Sequence, residues 1–234
     1  MVFAACAGGP SYVHLISQRT STGFEQAILL AQSSIDGNFK DGEAWGVLAL
    51  VYGNGADYLG TANDWKQRRD GAIAQAVALE PGGPFTLAAV GLANIGSDEA
   101  KAEEVLASCV TDYPLFLECQ NLFGDLLRKQ GRVDEAKSVY LAALRRWPED
   151  GELQISLALL HSENGSPDEG LAILRSLVSR QPNFARGRWH LATALFEINN
   201  DSDEARIHAE RALSIDPLIW NGERFLRMLN NQIE

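Results

Sequence analysis

The sequence predicts an all-α fold: a right-handed solenoid of six helix pairs, closed by one C-terminal helix. Three observations predict it. Pro81, Pro114, Pro148, Pro182 and Pro217 recur at intervals of 33, 34, 34 and 35 residues. Within each period, apolar and small residues fall at helical spacing in two short runs. Glycine or a polar turn separates the runs, at Gly131, at Gly165 and at Asn199-Asn200-Asp201. The closing proline stops the second run, because it cannot continue a helix and it disfavours helical backbone in the residue before it. A single pair cannot bury its apolar face, so neighbouring pairs stack.

The phase divides the chain into units 8–41, 42–83, 84–116, 117–150, 151–184 and 185–219, with a tail at 1–7 and a last segment at 220–234. The first unit keeps phase through Ala27 and Ser34-Ile35, with Phe39 where proline would sit. The second carries Trp45, Leu48-Ala49 and Tyr52, and at 42 residues it is eight too long. Its excess lies between Tyr52 and Ile73. Gly53-Asn54-Gly55 through Gly60 predicts a loop, and Trp65-Lys66-Gln67-Arg68-Arg69 the start of a lengthened second helix. The third unit has Val90-Gly91, Ala102, Leu106 and Cys109. The fourth runs from Phe123-Gly124-Asp125-Leu126-Leu127 to Ala136, Tyr140 and Ala143-Leu144. The fifth has Leu157-Ala158, Gly170 and Leu174, and the sixth Leu191-Ala192, Ala205 and Ala212-Leu213. Small residues such as Gly124, Ala136 and Ala158 let antiparallel helices approach closely. In 220–234, Trp220, Phe225, Leu226 and Leu229 form an apolar stripe beside Glu223, Arg224, Arg227 and Asn230, which predicts a capping helix with a polar outer face.

These residues resemble the tetratricopeptide repeat, a 34-residue helix–turn–helix with an aromatic, a Leu-Gly, a Tyr, spaced alanines and a closing proline. The resemblance covers nearly the whole chain. A finer likeness rests on Ser11-Tyr12-Val13-His14-Leu15, Phe24-Glu25-Gln26-Ala27-Ile28 and Asn38-Phe39 ahead of Glu43-Ala44-Trp45, with an expanded second repeat. These resemble the repeat regions of some bacterial adenylate cyclases and membrane-anchored winged-helix regulators, which act as sensory or interaction modules.

The resemblance implies that first helices line a concave surface that binds peptides or partner helices. Its phase puts Tyr12, Phe85, Asn121, Asp125, Arg128, Trp189 and Phe196 toward that surface. Trp189 and Phe196, two helical turns apart, are the expected anchors, with Asn121 and Arg128 orienting the partner. The competing view of Trp189 is that it fills the core. Some relatives clamp a terminal carboxylate with Lys, Asn and Arg; the matching slots here hold mostly Tyr, Gly, Ala, Ile and Leu, which argues against that clamp. The implied function is a non-catalytic scaffold that holds a protein segment, in a membrane-associated or periplasmic assembly. The alternative is a lipid or small-molecule carrier whose apolar groove is closed by residues 53–69.

Composition narrows the chemistry. With 31 acidic and 20 basic residues the net charge is −11, which opposes non-specific nucleic-acid binding. No apolar run reaches the roughly 18 residues of a transmembrane helix. His14, His161, His190 and His208 fall in different units without metal-ligand spacing, and no phosphate loop or nucleophile elbow occurs. No cofactor is expected, and an enzyme is not. Phe3-Ala4-Ala5-Cys6-Ala7-Gly8-Gly9 resembles the end of a bacterial lipoprotein signal, with Cys6 as the lipidation candidate, although the charged start and apolar run of such a signal are absent. That favours the periplasm or a membrane, with the cytoplasm as the alternative. Cys109 and Cys119, ten residues apart on neighbouring helices, read first as two small buried apolar side chains and second as a disulfide.

Overall fold

A computed structural model describes residues 12–17, 20–58, 64–199, 202–219 and 221–230. All regular structure among them is helical, in thirteen helices. They are α1 (Tyr12–Ser17), α2 (Ser21–Gly37), α3 (Gly42–Tyr58), α4 (Trp65–Leu79), α5 (Pro84–Asn94), α6 (Glu99–Asp112) and α7 (Leu117–Lys129). They continue as α8 (Val133–Arg146), α9 (Gly151–Glu163), α10 (Pro167–Arg180), α11 (Ala185–Asn199), α12 (Ser202–Ile215) and α13 (Gly222–Asn230). Twelve helices follow one another as six pairs and α13 follows alone, the solenoid of helical repeats that the proline phase predicts. The chain divides into two compact units, Met1–Ala93 and Asn94–Glu234.

The prolines act where the sequence places them. Helices α4, α6, α8, α10 and α12 each end two residues before Pro81, Pro114, Pro148, Pro182 and Pro217. The residue between leaves helical geometry, with ψ of 67° at Glu80, 63° at Tyr113, 68° at Trp147 and 71° at Gln181. These residues lie outside the α region, which a following proline disfavours. Each N–H still donates to the carbonyl four residues back, at Ala76, Cys109, Ala143 and Leu177. The turns at Gly96, Gly131 and Gly165 have φ of 81°, 73° and 77°, the left-handed region that glycine adopts without steric penalty.

One expectation for the first unit is corrected. The segment from Gly53, predicted as a loop, is helical through Tyr58, and the next helix starts at Trp65, so the proposed 53–69 lid is largely helix; residues 59–63 lie outside the described set. The glycines there serve packing. A Cβ on Gly46 would stand 2.9 Å from Phe85 Cβ, and one on Gly53 would stand 2.8 Å from Leu92 Cδ2. Glycine therefore lets α5 lie directly on α3. Phe24, Ala27, Val47, Leu50 and Phe85 fill the core of this unit.

In the second unit the core is continuous along α9 to α13. Leu174, Leu177, Leu191, Leu195, Ala205, Ala209 and Leu229 form one cluster. Helix α13 joins it through Leu229, which is 0% exposed, and through half-buried Phe225 and Leu226. Its Glu223, Arg224, Arg227 and Asn230 face out, as a cap requires; Trp220 lies outside the described residues.

The cysteines correct the first reading of that pair. Cys109 on α6 and Cys119 on α7 are bridged, with Cα atoms 6.0 Å apart. Cys109 does fill the slot of Ala76, Ala143 and Ala212, five residues before the proline, and the turn after it brings Cys119 into reach.

Candidate partner-binding site

Helices α7, α9 and α11 are the first helices of three successive pairs in the second unit. The 34-residue phase sets Asn121, Ile155 and Trp189 at one level of these helices, Asp125, Leu159 and Thr193 at the next, and Arg128, Ser162 and Phe196 at a third. The level of Asp125 is fixed from beneath. A Cβ on Gly124 would stand 2.3 Å from Tyr140 Cε1, so the Tyr140 ring of α8 lies flat on the α7 backbone. Its hydroxyl then donates to Asp125 Oδ1 at 2.6 Å. Burial first, and Asp125 second, raise the phenol far above its ordinary pKa, so it stays a donor.

Asp125 in turn lies beside Arg128, whose Nε is 3.5 Å from Asp125 Oδ1. Arg128 also donates from Nη1 to Glu163 on α9. Burial disfavours the charge on Arg128, but Asp125 and Glu163 outweigh it and raise the guanidinium pKa. Two more contacts tie these helices together. Ser156 Oγ donates to Asn121 Oδ1 at 3.1 Å, and Arg186 Nε on α11 lies 2.7 Å from Glu152 Oε1 on α9. His190 follows Arg186 by one turn on α11. Burial, then Arg186, then Arg128, pushes its imidazole down to about 3, so it is neutral at physiological pH. Ion pairs thus tie α7 to α9 and α9 to α11.

A half-buried histidine held neutral has a pH signature. The unfolded chain takes up a proton near pH 6.5, while the folded chain resists until about 3. The folded state thus binds fewer protons in that window, and stability falls as pH falls through it. His190→Gln should flatten this dependence, reducing the loss between pH 7 and pH 5 by up to about 2 kcal/mol. Denaturant melts of both proteins at the two pH values check it; parallel losses would mean that His190 is freely protonated in the fold.

The predicted site residues separate into two groups. Asp125 and Arg128 belong to the polar cluster just described. Asn121 is 7% exposed and is engaged by Ser156, so its polarity is used inside the protein. Phe85, predicted to line the groove, is a core residue at 2% exposure, and half-buried Tyr12 meets it edge-on at 6.2 Å. Trp189 and Phe196 are half-buried, each covered on one side. Both rings meet Phe225 of the cap edge-on, at 5.1 and 5.9 Å, because α13 packs where a next first helix would. Cys6 lies outside the described residues. Glu152, Glu163, Arg186 and His190 were missed. Glu152 and Arg186 did carry a signal, opposite charges in matching slots one repeat apart, whereas Glu163 stands one residue off the slot of Arg128. Among the described residues no group of three or more His, Cys, Asp or Glu could hold a metal ion, and no helix is long and apolar enough to cross a membrane.

A family profile described as the tetratricopeptide repeat matches residues 121–174 and 155–218. Over residues 121–218 the chain is similar to the tetratricopeptide repeat. The matched residues hold α7 through α12 with their shared 34-residue register, the part in which the polar cluster lies. Solved tetratricopeptide-repeat structures share the fold beyond it. A thermophilic one from Thermus thermophilus is 19% identical, covers 77% of this chain and 96% of its own, and superposes with a TM-score of 0.65. One from Parabacteroides merdae is 15% identical, covers 95% and 86%, and gives 0.64. A monomeric mutant of human IFIT1, solved with Gppp-AAAA, is 16% identical with a TM-score of 0.70 over 85% of this chain, which spans about half that protein's length at 48%. At these identities the likeness is one of fold. Comparison with curated protein sequences gives no match.

Proposed function

We propose that the face of α7, α9 and α11 that carries Arg128, Glu163 and His190 holds a segment of a partner protein, making this chain a non-catalytic interaction scaffold. The observation that carries the reading is the pair of ion pairs that ties the three first helices together, Arg128–Glu163 and Arg186–Glu152, with half-buried Leu159 of α9 and Thr193, Trp189 and Phe196 of α11 beside charges already neutralised by one another. A surface of that kind suits an amphipathic helix or an extended apolar segment, since little unpaired charge has to be desolvated on contact. The net charge of −11 disfavours an RNA ligand such as the one seen with IFIT1. Asp125 and Arg128 orient the segment and the accessible edges of Trp189 and Phe196 anchor it. The Ala4-Ala5-Cys6 sequence favours a membrane-associated or periplasmic assembly for this scaffold.

Thr193 is the position to test. It is half-buried on α11, next to Trp189 and Phe196 along the face, and outside the apolar core. Thr193→Lys should abolish capture of protein partners from the native source while the melting midpoint moves by less than about 2 °C, the scale of a surface substitution. Undiminished capture by a folded Thr193→Lys protein would place the partner elsewhere.

A further inference from the structure

The Cys109–Cys119 bridge lies outside the polar face and has no part in the function proposed above. Both cysteines are 0% exposed. They join the last turn of α6 to the first turn of α7, across Thr111-Asp112-Tyr113-Pro114, so the bridge fixes the joint between the third and fourth pairs. A thiolate must approach a disulfide along the S–S axis to exchange with it. Neither sulfur offers that approach once α6 and α7 have packed.

We propose that Cys109 and Cys119 are oxidised before α6 and α7 close, by exchange with the reactive disulfide of a thiol–disulfide oxidoreductase, so that this chain matures in an oxidising compartment. One of the two thiolates attacks the donor disulfide, forming a mixed disulfide and expelling one donor thiolate. The second cysteine thiolate then attacks the chain's own sulfur in the mixed disulfide and expels the other donor thiolate. Two chain thiols become one S–S bond, the donor disulfide is reduced to two thiols, and the two protons end on the donor sulfurs. The order matters: the bridge forms on the open chain, and burial then shields it from reductant. The staple it leaves shortens the loops open to the unfolded chain at the start of the second unit.

The test uses the full chain with Cys6→Ser, so that only two thiols can be counted. The protein is made with export to an oxidising compartment, denatured without reductant, treated with a maleimide and weighed intact. No adduct is expected before reduction, and two after it. Two adducts before reduction would overturn the proposal. The native protein is then held in millimolar dithiothreitol, with and without denaturant. Reduction is expected to be at least about tenfold slower in the folded protein, following access to the sulfurs; equal rates would overturn the burial argument and with it the order of events. The reduced protein should melt roughly 5–10 °C below the oxidised one. Coincident melts would overturn the staple.

Discussion

The Gly124→Leu protein is expected to lose about 3 kcal/mol of stability, the upper part of the range for overpacking a filled site. The cause is specific. The Tyr140 ring occupies the space where a side chain at position 124 would begin, with 2.3 Å between the added Cβ and Tyr140 Cε1. Tyr140 is 0% exposed and cannot swing out without emptying its place among Leu127, Ala136 and Leu153. Either α7 moves from α8 or the ring turns and releases Asp125, and both loosen the level at which Arg128 is held. Gly71→Ala is the control. Gly71 lies inside α4 with nothing within 4 Å of an added Cβ, so alanine there should stabilise by about 0.5–1 kcal/mol through helix propensity alone. Urea melts of the two variants should therefore shift in opposite directions. A shift of the same sign in both would contradict the packing assigned to Gly124.

The second large effect is expected at the cap. Leu229→Ala should cost about 2–4 kcal/mol in the last pair, since the side chain is wholly buried and its loss leaves a cavity in the cluster of Leu191, Leu195 and Ala209. Helix α13 has only nine residues, and Leu229 is its one fully buried apolar side chain beside half-buried Phe225 and Leu226, so it should detach. Detachment uncovers Trp189 and Phe196, which then lack the Phe225 ring. Removing 220–234 outright should go further and expose an apolar repeat end that associates with itself. Tryptophan fluorescence reports the first change, and size-exclusion chromatography with light scattering the second. A truncated chain that stays monomeric at an unchanged midpoint would show that α13 is not a cap.

The helix ends were the most legible feature of the sequence, because each proline acts on its own neighbour: five second helices stop two residues short of one. The pairing of helices was legible for the same local reason, through small residues such as Gly124 and Ala136. Gly53 misled because a glycine means two different things. In a turn it supplies backbone freedom, whereas in α3 it supplies the missing side chain that lets Leu92 approach. Nothing local distinguishes the two. Phe85 was misplaced because the phase fixes which helix a residue belongs to better than it fixes which neighbour covers it. The bridge between Cys109 and Cys119 was geometrically open but not decided, since a slot that accepts alanine also accepts a bridged cysteine. The polar cluster was the least legible part. Arg128 reaches Glu163 and Arg186 reaches Glu152 across helices, and long side chains have too many alternative partners for spacing to choose one.

The most direct test of the account asks which face meets a partner. A photo-crosslinking phenylalanine derivative is placed at Leu159, half-buried on α9 at the level of Asp125 and Thr193, and separately at Leu141, exposed on α8, a second helix. Each protein is irradiated in its native source after its melting midpoint is shown to match the parent. The account predicts discrete protein adducts from position 159, lost on adding Thr193→Lys, and none from position 141. Adducts from 141 in place of 159, or an adduct at 159 that consists of nucleic acid, would contradict it.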